Sequence, residues 1–274
     1  MKITFIGGGN MANALIGGLK KQGFSAAGIQ VVEPVEELRA RLTDDFGVRC
    51  TPAIDAATLA CEVLVLAVKP QAMKDALAPL REEFAGRLKE QLVISIAAGL
   101  QIKDIARWLG GYGNLVRSMP NTPALIGAGI TGLCAASAVD REGRATAEKI
   151  LRAVGRVLWV DDEALMDVVT AVSGSGPAYV FYFIEAIQKA GAELGLPADT
   201  ARQLAIETFL GAARLAEASS EPVDELRMRV TSKGGTTAAA IEAFNTAGVD
   251  AGIAAGVAAA AARGRELCEI LGQD

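Results

Sequence analysis

The sequence predicts two domains, an α/β domain built on a parallel sheet and an all-helical domain after it. The apolar runs VLVLAVKP (63–70) and QLVISIAA (91–98) have strand length and are typical of strands that helices cover on both faces. Such runs alternate with helical segments up to about residue 161, and beyond it only helical periodicity remains. We therefore expect domains at 1–161 and 162–274.

The same reasoning places the elements of the first domain. Helices are expected at 10–24 and 35–46, where apolar residues recur at helical spacing. Pro120 and Pro123 are expected to exclude regular structure after the fifth strand. The expected strands lie at 2–7, 29–34, 63–70, 91–98, the start of 114–127, and 155–161.

The second domain is rich in alanine and glycine, which let helices approach closely. Large alanine-rich faces on a small helical domain favour coverage by a second subunit, and a bundle closed within one chain is the alternative. The sequence therefore predicts a homodimer or a higher oligomer.

The composition excludes several classes of function. The 274 residues include no histidine, which removes imidazole acid–base chemistry, Ser-His-Asp hydrolysis and nearly all His-ligated metal catalysis. The net charge is −5 without a basic block, so no nucleic-acid partner is expected. The four cysteines form no CxxC pair, which predicts reduced thiols and no bound metal.

No membrane partner is expected either. The N-terminal MKITFIGGGN reads as a strand and a turn, without the apolar run of a signal peptide. The most apolar late stretch, 251–262, is short, mostly alanine and bounded by Asp250 and Arg263, which predicts a packed helix. These features favour a cytoplasmic protein.

A glycine motif follows the first strand and opens the first helix. It reads Gly7-x-Gly9-x-x-Ala12, in which Gly7 permits a tight turn and Gly9 lets the backbone approach a pyrophosphate. The helix N-terminus then faces the phosphates. The motif and its context predict a Rossmann-type domain that binds NADPH or NADH, and a glycine turn in a non-binding α/β fold is the alternative.

The second strand ends in Glu33, where a carboxylate accepts hydrogen bonds from the adenosine ribose and repels a 2′-phosphate. Arg39 and Arg41 follow, either as partners of such a phosphate or as residues of a solvated helix face. The choice of cofactor is open at this point, with dual use slightly favoured.

Two further loops belong to this edge of the predicted sheet. Lys69 ends one strand at the carboxyl edge, with an ordinary surface lysine as the alternative. The segment SIAAGL (95–100) ends the next strand with small residues, which suit close approach of a nicotinamide ring.

The stretch RVTSKGGTTAAAIEAFN (229–245) places a polar turn before a helix. Ser232, Gly234 and Gly235 lead into a helix at Thr236, so hydroxyls and free backbone N–H groups face one point. This predicts a site for a carboxylate or phosphate, with a simple N-cap and glycine turn as the alternative. A second helix opening, SGSGPAY (173–179), strengthens the prediction.

At these residues the chain resembles the pyrroline-5-carboxylate reductase family along essentially its whole length. The blocks FIGGGNMA, LAVKPQ, SIAAGL, RSMPNTP, SGSGPAYVF and TSKGGTTAAAIEAF each look like a block of that family. The C-terminal signature is the most specific, and it comprises Pro222, Leu226, Val230, Thr231, Ser232, Gly234, Gly235, Thr237, Ala240, Ile241 and Phe244.

The resemblance implies NAD(P)H-dependent reduction of 1-pyrroline-5-carboxylate to L-proline, without a metal. It implies a helical domain that interlocks with its partner's and is similar to the C-terminal domain of 6-phosphogluconate dehydrogenase. Thr237 is then the hydroxyl that meets the substrate ring nitrogen, and the substrate-binding residues are Glu163, Ser232, Gly235, Thr236 and Thr237. The family's cofactor-contacting positions match Gly9, Asn10, Met11, Val68, Lys69 and Ala97. The predicted cofactor-binding set is completed by Gly7, Glu33 and Pro70.

Three positions depart from the family pattern and leave the nucleotide preference open. Lys233 stands where proline is frequent, Ile54 where many members have an asparagine, and Arg229 replaces a polar neutral residue of some relatives.

Three rival functions share part of this pattern. A β-hydroxyacid dehydrogenase places a catalytic lysine four residues after the last glycine of a helix-opening motif, and Val180 occupies that place here. An imine reductase for larger rings would share the polar turn. A nucleotide-sensing regulator would keep the glycine motif but has no reason to keep the segment from Ser232 to Thr237.

Overall fold

The computed structural model describes residues 1–82, 84, 86 and 88–273. Eight strands form one sheet, at β1 (Ile3–Ile6), β2 (Ile29–Val32), β3 (Arg49–Thr51), β4 (Val63–Leu66), β5 (Leu92–Ser95), β6 (Leu115–Met119), β7 (Gly129–Ala135) and β8 (Gly155–Trp159). The described α-helices are α1 (Asn10–Lys21), α2 (Glu36–Phe46), α3 (Met73–Glu82), α4 (Ile102–Trp108), α5 (Arg141–Leu151), α6 (Met166–Val169), α7 (Gly176–Glu193), α8 (Ala198–Ala218), α9 (Val223–Arg229), α10 (Thr236–Thr246) and α11 (Val249–Leu271).

The sheet has the strand order β3-β2-β1-β4-β5-β6-β7-β8. The strands from β3 to β6 are parallel, β7 pairs antiparallel with β6, and β8 pairs parallel with β7. The chain runs outward from β1 through β2 to β3 and then crosses to β4 on the other side. The order therefore reverses between β1 and β4, and an open α/β sheet has its binding crevice at such a point.

The central strands are buried on both faces, as their apolar runs predict. Val63 and Val65 of β4 pack in one cluster with helix α1, whereas Leu64 and Leu66 pack in a second cluster with helices α3 and α4. Alternate residues of one strand thus supply two separate cores. This two-sided coverage holds the carboxyl ends of the strands at one fixed edge.

The sequence predicted the central parallel strands and the helices α1 and α2, whereas α3, α4 and α5 were not placed individually. The strands β3 and β7 were not predicted. Pro123 was expected to prevent regular structure, but Thr122–Ile126 forms a 3-10 helix that has Pro123 in its first turn. Proline lacks only an N–H that has no partner at this position, so the first turn tolerates it.

The chain divides into two compact units. The α/β unit comprises Met1–Ser175 and Ala260–Asp274, and the helical unit comprises Gly176–Ala259. By compactness, the segment up to Ser175 and the end of α11 belong to the α/β unit. The domain boundary expected between residues 161 and 162 stays a prediction. None of the helices in the described part of the chain is both long enough and apolar enough to cross a membrane.

We predict that Gly155→Ala destabilises the protein by about 2–5 kcal/mol, because Gly155 has a φ of +148° and a Cβ there would overlap the backbone of Gly129 on the neighbouring strand. Gly110→Ala is the matched control, since Gly110 has a φ of +72° in open space and its replacement costs about 1–2 kcal/mol. Urea unfolding at one protein concentration measures the free energy of unfolding of both variants. Equal losses in the two variants would contradict the steric argument.

Candidate functional site

The predicted nucleotide-binding residues gather at the carboxyl edge of the sheet. They follow β1, β2, β4 and β5, which lie side by side and run parallel. Their carboxyl ends therefore meet at one edge, next to the point where the strand order reverses. The residues placed there are Gly7, Gly9, Asn10, Met11, Glu33, Val68, Lys69, Pro70 and Ala97.

At Gly7 two backbone segments approach each other closely at this edge. Its φ is +100°, and a Cβ there would lie 2.7 Å from the carbonyl oxygen of Ala67 and 2.9 Å from the nitrogen of Val68. Its N–H donates to the carbonyl of Val32 at 2.8 Å. Only glycine satisfies both conditions, so the turn after β1 has no room for a side chain.

The N-terminus of α1 is open to solvent. Gly9 is the N-cap, no side chain caps the helix, and a Cβ at Gly9 would meet nothing within 4 Å. Gly9 and Asn10 are exposed. The first N–H groups of a helix have no partner within the helix and carry partial positive charge. The residues at this edge thus fit the pyrophosphate of a dinucleotide.

The side chain of Glu33, which directly follows β2, stabilises this turn. Its side-chain oxygens accept hydrogen bonds from the N–H of Gly8 at 2.8 Å and from the N–H of Val35 at 2.9 Å. Arg39 folds back along the same segment, and its Nη1 donates to the carbonyls of Glu33 at 2.8 Å and Pro34 at 2.7 Å. Arg41 instead pairs with Asp45 on the exposed face of α2. The two arginines therefore have different roles.

The loops after β4 and β5 complete the edge. Exposed Lys69 is the N-cap of a 3-10 helix at Pro70–Ala72. Ala97 is buried in the loop 96–101, and the N–H of Ile96 donates to the carbonyl of Leu66 at 3.1 Å. The centre of this loop, Ala97 to Gly99, carries only small side chains.

The helical unit forms the polar turn as the sequence predicts. Gly235 is the N-cap of α10, its N–H donates to the carbonyl of Ser232 at 3.0 Å, and Gly234 has a φ of +73°. A Cβ at Gly235 would lie 2.5 Å from the Ser232 hydroxyl oxygen. Thr236 and Thr237 are the first two residues of α10. Ser232 and the free N–H groups of this first turn are thus brought together.

Glu163, the remaining predicted site residue, lies in the α/β unit in a buried ionic cluster. Its Oε1 accepts hydrogen bonds from Nη1 of Arg117 at 3.0 Å and from the N–H of Ile102 at 2.7 Å. Nη2 of Arg117 lies 3.3 Å from Oδ1 of Asp167 and 3.8 Å from Sγ of Cys268. Sequence reasoning missed Arg117, Asp167 and Cys268, although an arginine inside the apolar strand LVRSM is an unusual signal.

Burial shapes the protonation of this cluster. Burial by itself lowers the pKa of Arg117, but the hydrogen bond to Glu163 and the neighbouring negative charges raise that pKa above its ordinary value. Burial raises the pKa of the Cys268 thiol to about 11. Arg117 therefore stays a cation and Cys268 stays a neutral thiol near neutral pH.

The helical unit also has a large apolar groove of about 870 Å³. Its lining includes Tyr179, Tyr182 and Phe183 of α7, Phe244 of α10 and Ile253 of α11. Tyr182 is 69% exposed and Phe244 is 52% exposed. Apolar surface of this extent marks a place where another molecule packs.

Two family models match the chain. Residues 163–267 match the model described as pyrroline-5-carboxylate reductase dimerisation. Residues 2–99 match the model described as NADP oxidoreductase, coenzyme F420-dependent. The first match contains the apolar groove and the polar turn, and the second contains the glycine motif.

Individual proteins match over almost their whole length. A pyrroline-5-carboxylate reductase of Pseudomonas aeruginosa is 46% identical, over 99% of this chain and 98% of that protein. The structure of such a reductase from Coxiella burnetii has a TM-score of 0.91 and 41% identity, over 97% of this chain and 98% of that one. A Plasmodium falciparum pyrroline carboxylate reductase with NADP bound has a TM-score of 0.85 and 27% identity, over 98% of each chain.

Proposed function

This chain belongs to the pyrroline-5-carboxylate reductase family, and we propose that it reduces 1-pyrroline-5-carboxylate to L-proline, the last step of proline biosynthesis. The observation that carries the proposal is the turn from Ser232 to Thr237. It combines free N–H groups, a serine hydroxyl and two threonines at a helix N-terminus, which suits the carboxylate of a small cyclic acid.

The reaction asks little of the protein's acid–base groups. The reduced nicotinamide, when bound, supplies a hydride to the imine carbon. The imine nitrogen is basic enough to arrive protonated, so the C=N bond becomes a CH–NH bond without a strong protein acid. In this proposal the turn holds the carboxylate, the Thr237 hydroxyl hydrogen-bonds the ring nitrogen, and Glu163 lies near the substrate. Positioning of this kind contributes about 7–11 kcal/mol toward the barrier in favourable cases.

The proposed cofactor site lies at the carboxyl edge of the sheet, and the proposal is that it accepts both NADPH and NADH. The Glu33 carboxylate is occupied by two backbone N–H groups, which offset part of its negative charge. The Arg39 guanidinium lies beside it and carries a positive charge toward the same end of β2. Repulsion of a 2′-phosphate by Glu33 is thereby weakened, while the ribose hydroxyls of NADH still find an acceptor.

A homodimer or higher oligomer forms through the helical unit in this proposal, with the apolar groove as part of the covered surface. The enzyme is proposed to work in the cytoplasm, the compartment where free thiols such as those of Cys134 and Cys268 stay reduced. Nucleic acid and membrane are not among its proposed partners.

The direct test mixes the purified protein with 1-pyrroline-5-carboxylate and follows the absorbance of NADPH or NADH. We expect oxidation of both cofactors, with L-proline as the product. A six-membered cyclic imine acid in parallel tests the rival reductase, and faster turnover of that ring would transfer the proposal to it. Cofactor binding without oxidation of either would favour a nucleotide-sensing regulator instead.

We predict that Thr237→Ala lowers kcat/KM by about 10–100-fold, because it removes a hydrogen bond to a charged ring nitrogen worth about 1.5–3 kcal/mol. NADPH affinity and the oligomeric state should persist, as fluorescence titration and light scattering would measure. Thr237→Ser keeps the hydroxyl and should retain most activity. Thr246→Ala, at the exposed end of the same helix, is the control for the helix itself. Unaltered kinetics in Thr237→Ala would refute the role of the hydroxyl.

We predict that Arg39→Leu weakens NADPH binding by about tenfold and NADH binding by less than about twofold, because only NADPH carries the 2′-phosphate that this cation meets. Fluorescence titration of both cofactors measures the two values of Kd. Arg41→Leu is the matched control, since Arg41 lies on the same helix but pairs with Asp45. Equal losses for both cofactors would assign Arg39 a structural role only.

A further inference from the structure

The buried cation Arg117 has no role in the reaction as described so far. It lies on β6, its side chain is 3% exposed, and it contacts the carboxylates of Glu163 and Asp167. A charge is removed from water only at considerable cost, which paired groups with good geometry offset. Burial of Arg117 is therefore expected to serve a purpose in the fold.

The Glu163 carboxylate connects Arg117 to the start of α4. One oxygen, Oε1, accepts both the guanidinium N–H of Arg117 and the backbone N–H of Ile102. Ile102 is the first residue of α4, and the N-cap residue Gln101 makes no side-chain cap. Glu163 thus provides, from 61 residues away, the acceptor that a capping side chain normally supplies.

The start of α4 is also the end of the loop 96–101. The beginning of this loop is held by the hydrogen bond from Ile96 to Leu66, and Ser118 of β6 donates its hydroxyl to the carbonyl of Ser95 at 2.8 Å. In its middle, Gly99 has a φ of +71°, and a Cβ there would lie 3.3 Å from Cδ1 of Leu271 and 3.4 Å from Cβ of Leu267 in α11. The hydrogen bond to Glu163 fixes its far end.

We propose that Arg117 is a positioning residue, which holds the Glu163 carboxylate and thereby fixes the loop 96–101 on which the nicotinamide end of the cofactor lies. This inference rests on the proposed function, because it takes Ala97 as a cofactor contact. Arg117 touches neither substrate nor cofactor in this account. Its effect passes through one carboxylate oxygen to one backbone N–H.

Hydrogen–deuterium exchange of the full-length protein tests this inference without turnover. The variants are Arg117→Lys, which keeps the charge but loses the two-armed geometry, Glu163→Ala, and the double variant. Asp167→Asn is the matched control, since it weakens the same buried cluster but leaves the Arg117–Glu163–Ile102 connection in place. The readouts are exchange of a peptide covering residues 96–105 and the Kd for NADPH.

We expect exchange in this peptide to rise by about tenfold in Arg117→Lys and in Glu163→Ala, because each releases one backbone hydrogen bond. The Kd for NADPH should rise by about tenfold as well. Exchange of the peptide and the Kd for NADPH should be only slightly higher in the double variant than in the more affected single variant, as expected for residues that act in series. Asp167→Asn should lower the unfolding temperature and leave the peptide at the wild-type exchange rate.

Two results would overturn the inference. One is wild-type exchange of the peptide in Glu163→Ala, a variant that decides the question even if Arg117→Lys fails to fold. The other is an equal rise in Asp167→Asn, which would make Arg117 a general stabilising residue. Failure of the proposed function would be seen separately, because the wild-type protein would then reduce no imine. Exchange of the loop 96–101 without NADPH would still depend on Arg117 and Glu163 in that case.

Discussion

The close approach of Gly7 to the backbone of Ala67 and Val68 is the constraint on which the carboxyl edge of the sheet depends. It lies where the strand order reverses, so the turn after β1 and the segment after β4 meet there without a side chain between them. Three backbone hydrogen bonds extend the ladder just beyond the strands, from Gly7 to Val32, from Ala67 to Ile6 and from Ile96 to Leu66. Main-chain hydrogen bonds therefore help to set the positions of the candidate cofactor contacts, together with side chains such as Glu33.

Much of this arrangement could be predicted from sequence because it is local. The apolar runs of β4 and β5, the glycine motif and the polar turn before α10 each lie within a few consecutive residues. The strand β3 escaped prediction because Arg49–Thr51 is short, polar and partly exposed, and β7 because its sequence GITGLCA is interrupted by glycine. The cluster around Arg117 was missed for another reason, since it joins residues 102, 117, 163, 167 and 268, which no local pattern connects.

The helical unit buries fewer large apolar side chains by itself than the α/β unit does. Within it, Phe181 is 65% exposed, Tyr182 69% and Leu194 89%, whereas the buried apolar side chains recorded there are the small Ala201 and Ala205. A domain of this size gains little stability from so few buried groups. Phe244 of α10 lines the apolar groove, so a partner that covers the groove packs against the helix whose first turn carries Thr236 and Thr237. The apolar groove and the polar turn therefore share helix α10.

The absence of histidine is consistent with this design. Reduction of a carbonyl requires a proton donor for an oxyanion that forms at the transition state, and histidine or lysine is a common source. A cyclic imine carries its proton on nitrogen before the hydride arrives, so charge is neutralised during the step. What remains is to hold an anion, a ring and a hydride donor in one geometry, which needs hydrogen-bond donors and positioning groups and no strong acid. The first turn of α10 carries groups of this kind, namely N–H groups without a partner inside the helix and the hydroxyls of Thr236 and Thr237.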